Sequence, residues 1–251
     1  MNWFEYAPQF NICLTAEQLE QFEIYERLLL EWNSRMNLTA VRDTEGIQQR
    51  HFLDSLTGGL IPNLDLPHLK LIDVGTGAGF PGLPLKLAYP SIDLTLTDSV
   101  TRKTHFLQAV VDELGLENVT VLAERAEDLG QAAEHREGYD IALARSVAFM
   151  PTLLEYLAPL TKVGGKAICF KGERAISEAD EGAYAAQELG VGKPAFIEVQ
   201  LPEHEKKHYL VMYTKQAPTP AKYPRRPGRP LKKPLVRSEE RRVGKECRSR
   251  W

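Results

Sequence analysis

The sequence predicts an α/β protein with a doubly wound, mostly parallel sheet, and two observations support this fold class. Short runs rich in valine, isoleucine and leucine alternate with longer helical segments, as is typical of a parallel sheet covered on both faces. Two later strands follow one another without a helix, which predicts an antiparallel pair at one end of the sheet. The predicted strands are 70–74, 92–98, 119–123, 139–144, 165–170, 195–199 and 209–214.

The residues before the sheet predict a helical extension. Thr15 with Gln18 forms a capping-box pattern, and apolar residues then recur every three or four positions as far as Trp32. A second helix is expected from Asp43 or Thr44. We divide the chain into an N-terminal extension (1–66), a core (67–215), a basic proline-rich arm (216–235) and a tail (236–251).

Composition and charge limit the class of protein. Hydrophobic residues make up 43% and charged residues 26%, as expected for a soluble globular chain, and no secretory signal or membrane-length apolar run is visible. The three cysteines are far apart and predict neither disulfides nor a metal site, so we expect a cytoplasmic protein. From Lys215 onward there are 13 Lys/Arg and 3 Asp/Glu, against 18 and 31 before it. This basic end is either a nucleic-acid arm or a solvated terminus.

A glycine-rich loop follows the first strand, in the segment "LIDVGTGAGFPG". Gly77, Gly79 and Gly82 match the spacing of a dinucleotide-binding loop, which lies at the carboxyl edge of the sheet. Asp98 closes the second strand, where an acidic side chain accepts hydrogen bonds from ribose hydroxyls. Oxidoreductases that use NAD and methyltransferases that use S-adenosylmethionine (SAM) both share this plan.

Asp73 distinguishes these two cofactors. A carboxylate at the entrance of the loop repels a pyrophosphate but attracts the ammonium and sulfonium groups of SAM. After the third strand, Glu127 can accept from an adenine amino group and the Ala126 N–H can donate to a ring nitrogen. These residues favour SAM over NAD, although Asp73 could instead serve only to hold the N–H groups of the loop.

Several ordered blocks resemble one family, the bacterial 16S rRNA guanine-N7 methyltransferases known as RsmG or GidB. The resemblance runs over residues 1–235. It implies a class I SAM-dependent methyltransferase core, with a Rossmann-like, seven-stranded, mostly parallel sheet behind the helical extension. It also implies methylation of N7 of one guanosine, 527-equivalent, in the 530 loop of 16S rRNA. The blocks are "LLLEWNSRMNLTAV", "RHFLDSL", "LIDVGTGAGFPGLPLKL", "LTDSVTRKTHFL", "AERAED", "ALARSVA" and "KYPRRPGRP…KKPL".

The resemblance also assigns cofactor contacts by position. Together with Asp73 and Gly77, which follow from the loop itself, the expected SAM-binding residues are Asp73, Gly75, Gly77, Phe80, Asp98, Ser99, Val100, Ala126, Glu127 and Arg145.

The implied chemistry makes few demands on catalytic side chains. Guanine N7 carries a lone pair and no proton, so methyl transfer needs positioning rather than a general base. Arg145 and Lys171 end the fourth and fifth strands and are our catalytic candidates, although Lys171 could be an ordinary surface charge. Cys169 lies inside an apolar strand and is expected to pack in the core rather than act as a nucleophile.

Two further motifs have simpler interpretations. The segment His204–His208, "HEKKH", fits a zinc motif only on a helix, and in an extended chain its histidines would lie about 13 Å apart, so we expect no metal site. His51 and Asp54 are either a hydrogen-bonded pair that fixes their helix or part of the wall of the cofactor pocket.

The arm is expected to be extended and not helical, because prolines recur throughout it. Its cations could neutralise phosphates of 16S rRNA, of the small ribosomal subunit or of a precursor. The last residues, 236–251, resemble no part of the family, and we expect them not to be native. The expected RNA-binding residues are Lys222, Arg225, Arg226, Arg229, Lys232 and Lys233.

Overall fold

The structure, a computed structural model, describes residues 2–202 and 206–237. Seven strands form one sheet in the order β3-β2-β1-β4-β5-β7-β6. The first five strands are parallel neighbours, whereas β7 runs antiparallel to both β5 and β6. The strands are β1 (Lys70–Val74), β2 (Asp93–Thr97), β3 (Val119–Leu122), β4 (Tyr139–Arg145), β5 (Thr161–Lys171), β6 (Val191–Val199) and β7 (His208–Lys215).

All seven predicted strands are confirmed, as is the antiparallel pair at the end of the sheet. The helices between them are α4 (Gly82–Ala88), α5 (Thr101–Glu113), α6 (Ala126–Leu129), α7 (Met150–Leu157), α8 (Ala175–Glu181) and α9 (Ala183–Leu189). No helix of the described residues is long and apolar enough to cross a membrane.

The N-terminal segment is helical, and its two predicted starts are confirmed. Thr15 and Gln18 form both hydrogen bonds of the capping box at the start of α1 (Ala16–Met36). Asp43 caps α2 (Thr44–Ile47), and the chain continues through a π-helical turn (Gln48–Leu53), α3 (Asp54–Leu56) and a 3₁₀ turn (Thr57–Leu60). A 3₁₀ helix at Trp3–Phe10 was not predicted.

The sheet separates two apolar cores, because alternate residues of a strand point to opposite faces. In β1, Leu71 belongs to the core that the N-terminal segment covers, while Ile72 belongs to the core beneath α7, α8 and α9. Aromatic side chains hold the N-terminal segment in place: the rings of Trp3, Phe22 and Phe52 lie with centroids 5.0 to 5.6 Å apart. This packing brings the residues after α1 to the carboxyl edge of the sheet.

The prediction of an extended, non-helical arm is wrong. Residues Arg229–Lys232 form a short helix, α10, in which Pro230 stands in the first turn, where a missing N–H costs no hydrogen bond. The arm also folds back onto the protein, since Tyr223 and Leu235 are buried in the second core. Arg136 holds it by donating to the carbonyls of Thr219 and Tyr223, at 2.7 and 2.8 Å.

Candidate active site

The glycine loop turns sharply between β1 and α4. The N–H groups of Gly75 and Thr76 both donate to the Thr97 carbonyl, at 2.8 and 3.1 Å, which ties the loop to the end of β2. Gly75 has φ +67°, and a Cβ there would lie 2.8 Å from Val147. Gly77 has φ +64° with open space around it. The loop therefore needs glycine at both positions, for conformation at Gly77 and for conformation and space at Gly75.

Asp73 lies fully buried beneath this loop. Its Oδ2 accepts from the Thr76 hydroxyl at 2.6 Å and from the Gly82 N–H at 2.8 Å, as expected if Asp73 holds the groups of the loop. Its Oδ1 is buried without a hydrogen-bond partner. Burial raises the pKa of the Asp73 carboxyl from 3.8 to about 6. One oxygen thus organises the loop, and the other is an unsatisfied acceptor.

Asp98 connects the glycine loop to the turn after β2. Its Oδ1 accepts from the Val100 N–H at 2.9 Å and its Oδ2 from the Gly77 N–H at 3.1 Å, while Lys103 lies 3.3 Å from Oδ2. The carboxylate is 6% exposed, and the neighbouring Ser99 is exposed. The Asp98 side chain therefore links the glycine loop to the turn after β2.

Glu127 has a partner that the sequence did not suggest. It lies in the first turn of α6 beside Ala126, and both residues are buried. Its Oε1 accepts from the N–H of Gly228, in the arm, at 2.8 Å. The acidic residue assigned to the adenine end of the cofactor is therefore in contact with the arm.

A cavity of about 470 Å³ opens beside the glycine loop at the carboxyl edge of the sheet. It brings together several predicted site residues: Gly75, Gly77, Phe80, Arg145 and Lys171. The other predicted cofactor residues do not line it. Asp73 is buried beneath the loop, Asp98 accepts from the Gly77 N–H, and Glu127 accepts from the Gly228 N–H of the arm.

Arg145 is the centre of the polar wall of this cavity. Its guanidinium donates to Asp54 Oδ2 at 2.5 Å and to the Arg50 carbonyl at 3.1 Å, and lies 3.2 Å from His51 Nδ1. It also lies over the ring of Phe80, 5.2 Å from the centroid. His51 Nδ1 also lies 3.1 Å from the Arg50 carbonyl, and Nε2 lies 2.7 Å from Thr39 Oγ1. A guanidinium only donates, so Nδ1 accepts from Arg145 only in the tautomer with the proton on Nε2.

His51 and Asp54 both line the cavity, as the second interpretation of this pair expects. Arg145 contacts both side chains and connects them, in place of the direct hydrogen bond between His51 and Asp54 that the other interpretation expects. Burial and the nearby Arg145 lower the pKa of His51 to about 4, so its ring is neutral at pH 7. The ring stacks on Phe80 at 4.5 Å.

His208 belongs to the same network, a role that the sequence did not suggest. Its Nδ1 lies 3.0 Å from Asp54 Oδ1. This hydrogen bond raises the pKa of His208. Burial alone would raise the pKa of Asp54, but the hydrogen bonds from His208 and Arg145 outweigh burial and lower the pKa of this carboxyl. The strand direction could have indicated this role, because the antiparallel strand β7 begins at the edge of the sheet where its parallel neighbours end.

The remaining candidates have the following surroundings. Lys171 is no plain surface charge: its Nζ donates to the Ala148 carbonyl and to Glu178, both at 2.7 Å. Cys169 is fully buried in β5, and burial raises the pKa of its thiol to about 12, so it packs in the core. His204 lies outside the described residues, among which no cluster of metal ligands occurs.

The predicted RNA-binding side chains differ in their contacts. Arg225 is held by the buried Glu155, with Nε and NH2 at 2.8 and 2.6 Å from its two oxygens. Lys222 is exposed and lies 3.4 Å from Glu188. The other predicted cations of the arm are exposed: Arg226, Arg229, Lys232 and Lys233.

The sheet order, the glycine loop after β1 and acidic residues after each of the next two strands define a class I methyltransferase fold. Residues 18–207 match the family described as rRNA small subunit methyltransferase G, GidB. The chain belongs to this family.

Individual relatives agree with this assignment. The ribosomal RNA small subunit methyltransferase G of Alkaliphilus oremlandii is 44% identical over 92% of this chain and 96% of its own. The protein of the same name from Acetivibrio thermocellus is 42% identical over 92% and 95%. Among solved structures, M. jannaschii TYW2 in complex with AdoMet is similar over 61% of this chain and 72% of its own, at 13% identity and a TM-score of 0.47. The family assignment does not depend on that likeness.

Proposed function

We propose that this protein transfers a methyl group from SAM to N7 of one guanosine, 527-equivalent, in the 530 loop of 16S rRNA. The observation that carries the choice of cofactor is Asp73, a buried carboxylate whose Oδ1 has no partner beneath the glycine loop. A buried, unsatisfied anion favours a cationic ligand and disfavours a pyrophosphate. The family membership supports the choice of an rRNA substrate.

The residues of the carboxyl edge fit SAM. Asp73 would attract its cationic end, while the glycine loop with Gly75 and Gly77 allows close approach of the ligand to the backbone. Asp98 would accept from the ribose hydroxyls, with Ser99 and Val100 in the same turn. Ala126 and Glu127 would bind the adenine edge. Bound SAM supplies an activated methyl group.

Positioning is the main catalytic contribution that this site needs. Guanine N7 attacks through its in-plane lone pair and loses no proton, so orientation can supply on the order of 7–11 kcal/mol without a general base. Arg145 suits such a role, because Asp54 and the neutral His51 fix its guanidinium against Phe80. Lys171 is similarly fixed by Glu178, and it holds the loop after β4 through the Ala148 carbonyl.

The exposed cations of the arm are proposed contacts to RNA phosphates. Arg226, Arg229, Lys232 and Lys233 would each add about 0.7 to 0.9 to the slope of log affinity against log salt. Arg225 is expected to contribute less, because its guanidinium already pairs with Glu155. Replacing Arg226 and Arg229 with glutamine should lower the slope measurably, whereas replacing Arg27, an exposed arginine of α1, should leave it unchanged.

The test of the proposal combines binding and transfer. Calorimetry should show binding of SAM and none of NAD, the cofactor that the glycine spacing alone would suggest. Radiolabel from SAM should then enter undermethylated 16S rRNA, offered naked and as small subunits. A protein that binds NAD, or that labels no rRNA in either form, would contradict the proposal. Binding of rRNA without SAM affinity would instead indicate an RNA-binding module.

A further inference from the structure

The middle of the arm is anchored at two points on one helix. Glu155 of α7 accepts from the Arg225 backbone N–H at 2.9 Å and from its guanidinium, although Glu155 itself has no exposed surface. One turn earlier on α7, the Thr152 hydroxyl donates to the Pro230 carbonyl at 3.1 Å. The six-residue turn from Arg225 to Pro230 is therefore held by hydrogen bonds at its start and at its end.

Gly228 lies between these anchors and points its N–H at the candidate cofactor site. Gly228 adopts a φ of +76° in this turn, and its N–H donates to Glu127 Oε1 at 2.8 Å. Glu127 is 4% exposed, and Gly228 is partly buried against it. The arm also packs on the end of α6, where Gln131 donates to the Pro224 carbonyl at 2.7 Å.

We propose that the arm completes the adenine end of the cofactor site, with the Gly228 N–H as the group that positions Glu127. This inference rests on the proposed function. The Gly228 contact uses one oxygen of a carboxylate, and the second oxygen is then directed to accept from a purine 6-amino group. A carboxylate that is already held by a charge-assisted hydrogen bond loses little conformational entropy when the ligand binds. The binding affinity for the ligand is therefore higher.

The arrangement couples two binding events. Residues on either side of Gly228 are the proposed RNA contacts, while Gly228 itself touches the proposed cofactor residue. By thermodynamic reciprocity, a SAM molecule that engages Glu127 stabilises the docked arm, and an RNA that holds the docked arm strengthens SAM binding by the same factor.

The first test compares SAM with S-inosylmethionine, in which oxygen replaces the 6-amino group. The full-length protein should prefer SAM by at least tenfold, since a hydrogen bond to a charged group is lost with the analogue. Gly228→Pro removes the N–H and also fixes φ at about −65°, far from the +76° of this turn, so it should lower that preference by roughly tenfold, whereas Leu231→Gln, exposed on the same arm, should leave it unchanged. Gly228→Ala keeps the N–H and meets open space, but an alanine is strained at this positive φ, so its effect should fall between them. An unchanged preference in Gly228→Pro would overturn the proposal.

The second test needs no variant. Hydrogen exchange of the amides between residues 225 and 233 should slow when SAM is added without RNA, and should slow less with S-inosylmethionine. Equal exchange with and without bound SAM would overturn the proposed role of the arm. A wild-type protein that does not bind SAM would contradict the proposed function instead, so the two failures are distinguishable.

Discussion

The Asp73→Asn substitution gives the sharpest test of the buried carboxylate beneath the glycine loop. Asp73 is fully buried, and its pKa rises from 3.8 to about 6, so keeping it ionised at pH 7 costs the folded protein about 3 kcal/mol relative to the unfolded chain. The folded protein therefore holds this proton more tightly than the unfolded chain, and the wild type loses this stability as the pH rises from about 4 through 6. An asparagine carries no such pH-dependent cost.

The measurement is the free energy of unfolding in urea at pH 4 and at pH 7. Relative to the wild type, the Asp73→Asn variant should gain about 2–3 kcal/mol between these two pH values. The cost of burying the asparagine amide is about the same at both, so it cancels from this difference. The matched control, Asp65→Asn, replaces an exposed aspartate and should show no such gain. A difference between wild type and Asp73→Asn that does not change with pH would refute the reasoning.

The remaining predictions concern the cavity wall and the loop. The pKa of His208 is raised in the folded protein, so its contribution to stability is complete below pH 6.5 and is lost as the pH rises through the higher folded-state pKa. The pKa of Asp54 is lowered, so its contribution to stability is lost as the pH falls below 3.8. A double-mutant cycle of His208→Gln and Asp54→Asn should therefore show its largest coupling energy near pH 5–6, and a coupling that peaks at pH 8 would contradict this. Gly75→Val should abolish SAM binding measured by calorimetry, because its side chain meets Val147 and its φ is strained, while Gly77→Ala, with strain alone of about 1 kcal/mol, should weaken binding less.

Local sequence patterns predicted most of the fold because they record local physics. The strands were visible as apolar runs, and the first helix was visible because Thr15 and Gln18 satisfy each other's backbone donors. The glycine loop was equally clear, since positive φ at Gly75 and Gly77 demands that residue type. For Asp73, the sequence suggested either attraction of a cationic cofactor or a role in holding the loop. The structure shows one oxygen holding the loop and the other oxygen without a partner.

Contacts between distant segments were not predictable in this way. Arg225 and Glu155 stand 70 residues apart, and nothing near either residue indicates the other. The recurring prolines of the arm indicated an extended chain, but tertiary packing of Tyr223 overrode that local preference. The role of His208 was not predictable from the spacing of the zinc motif, because its contact with Asp54 depends on where β7 begins.

The most direct test of the central claim is to map the methylated nucleotide. 16S rRNA from small subunits that lack the modification is incubated with the protein and SAM, and the product is analysed by mass spectrometry and by chemical cleavage at 7-methylguanosine. We expect one new 7-methylguanosine, at the 527-equivalent position in the 530 loop. A methyl group on another atom of guanine, on another base or at several positions would contradict it.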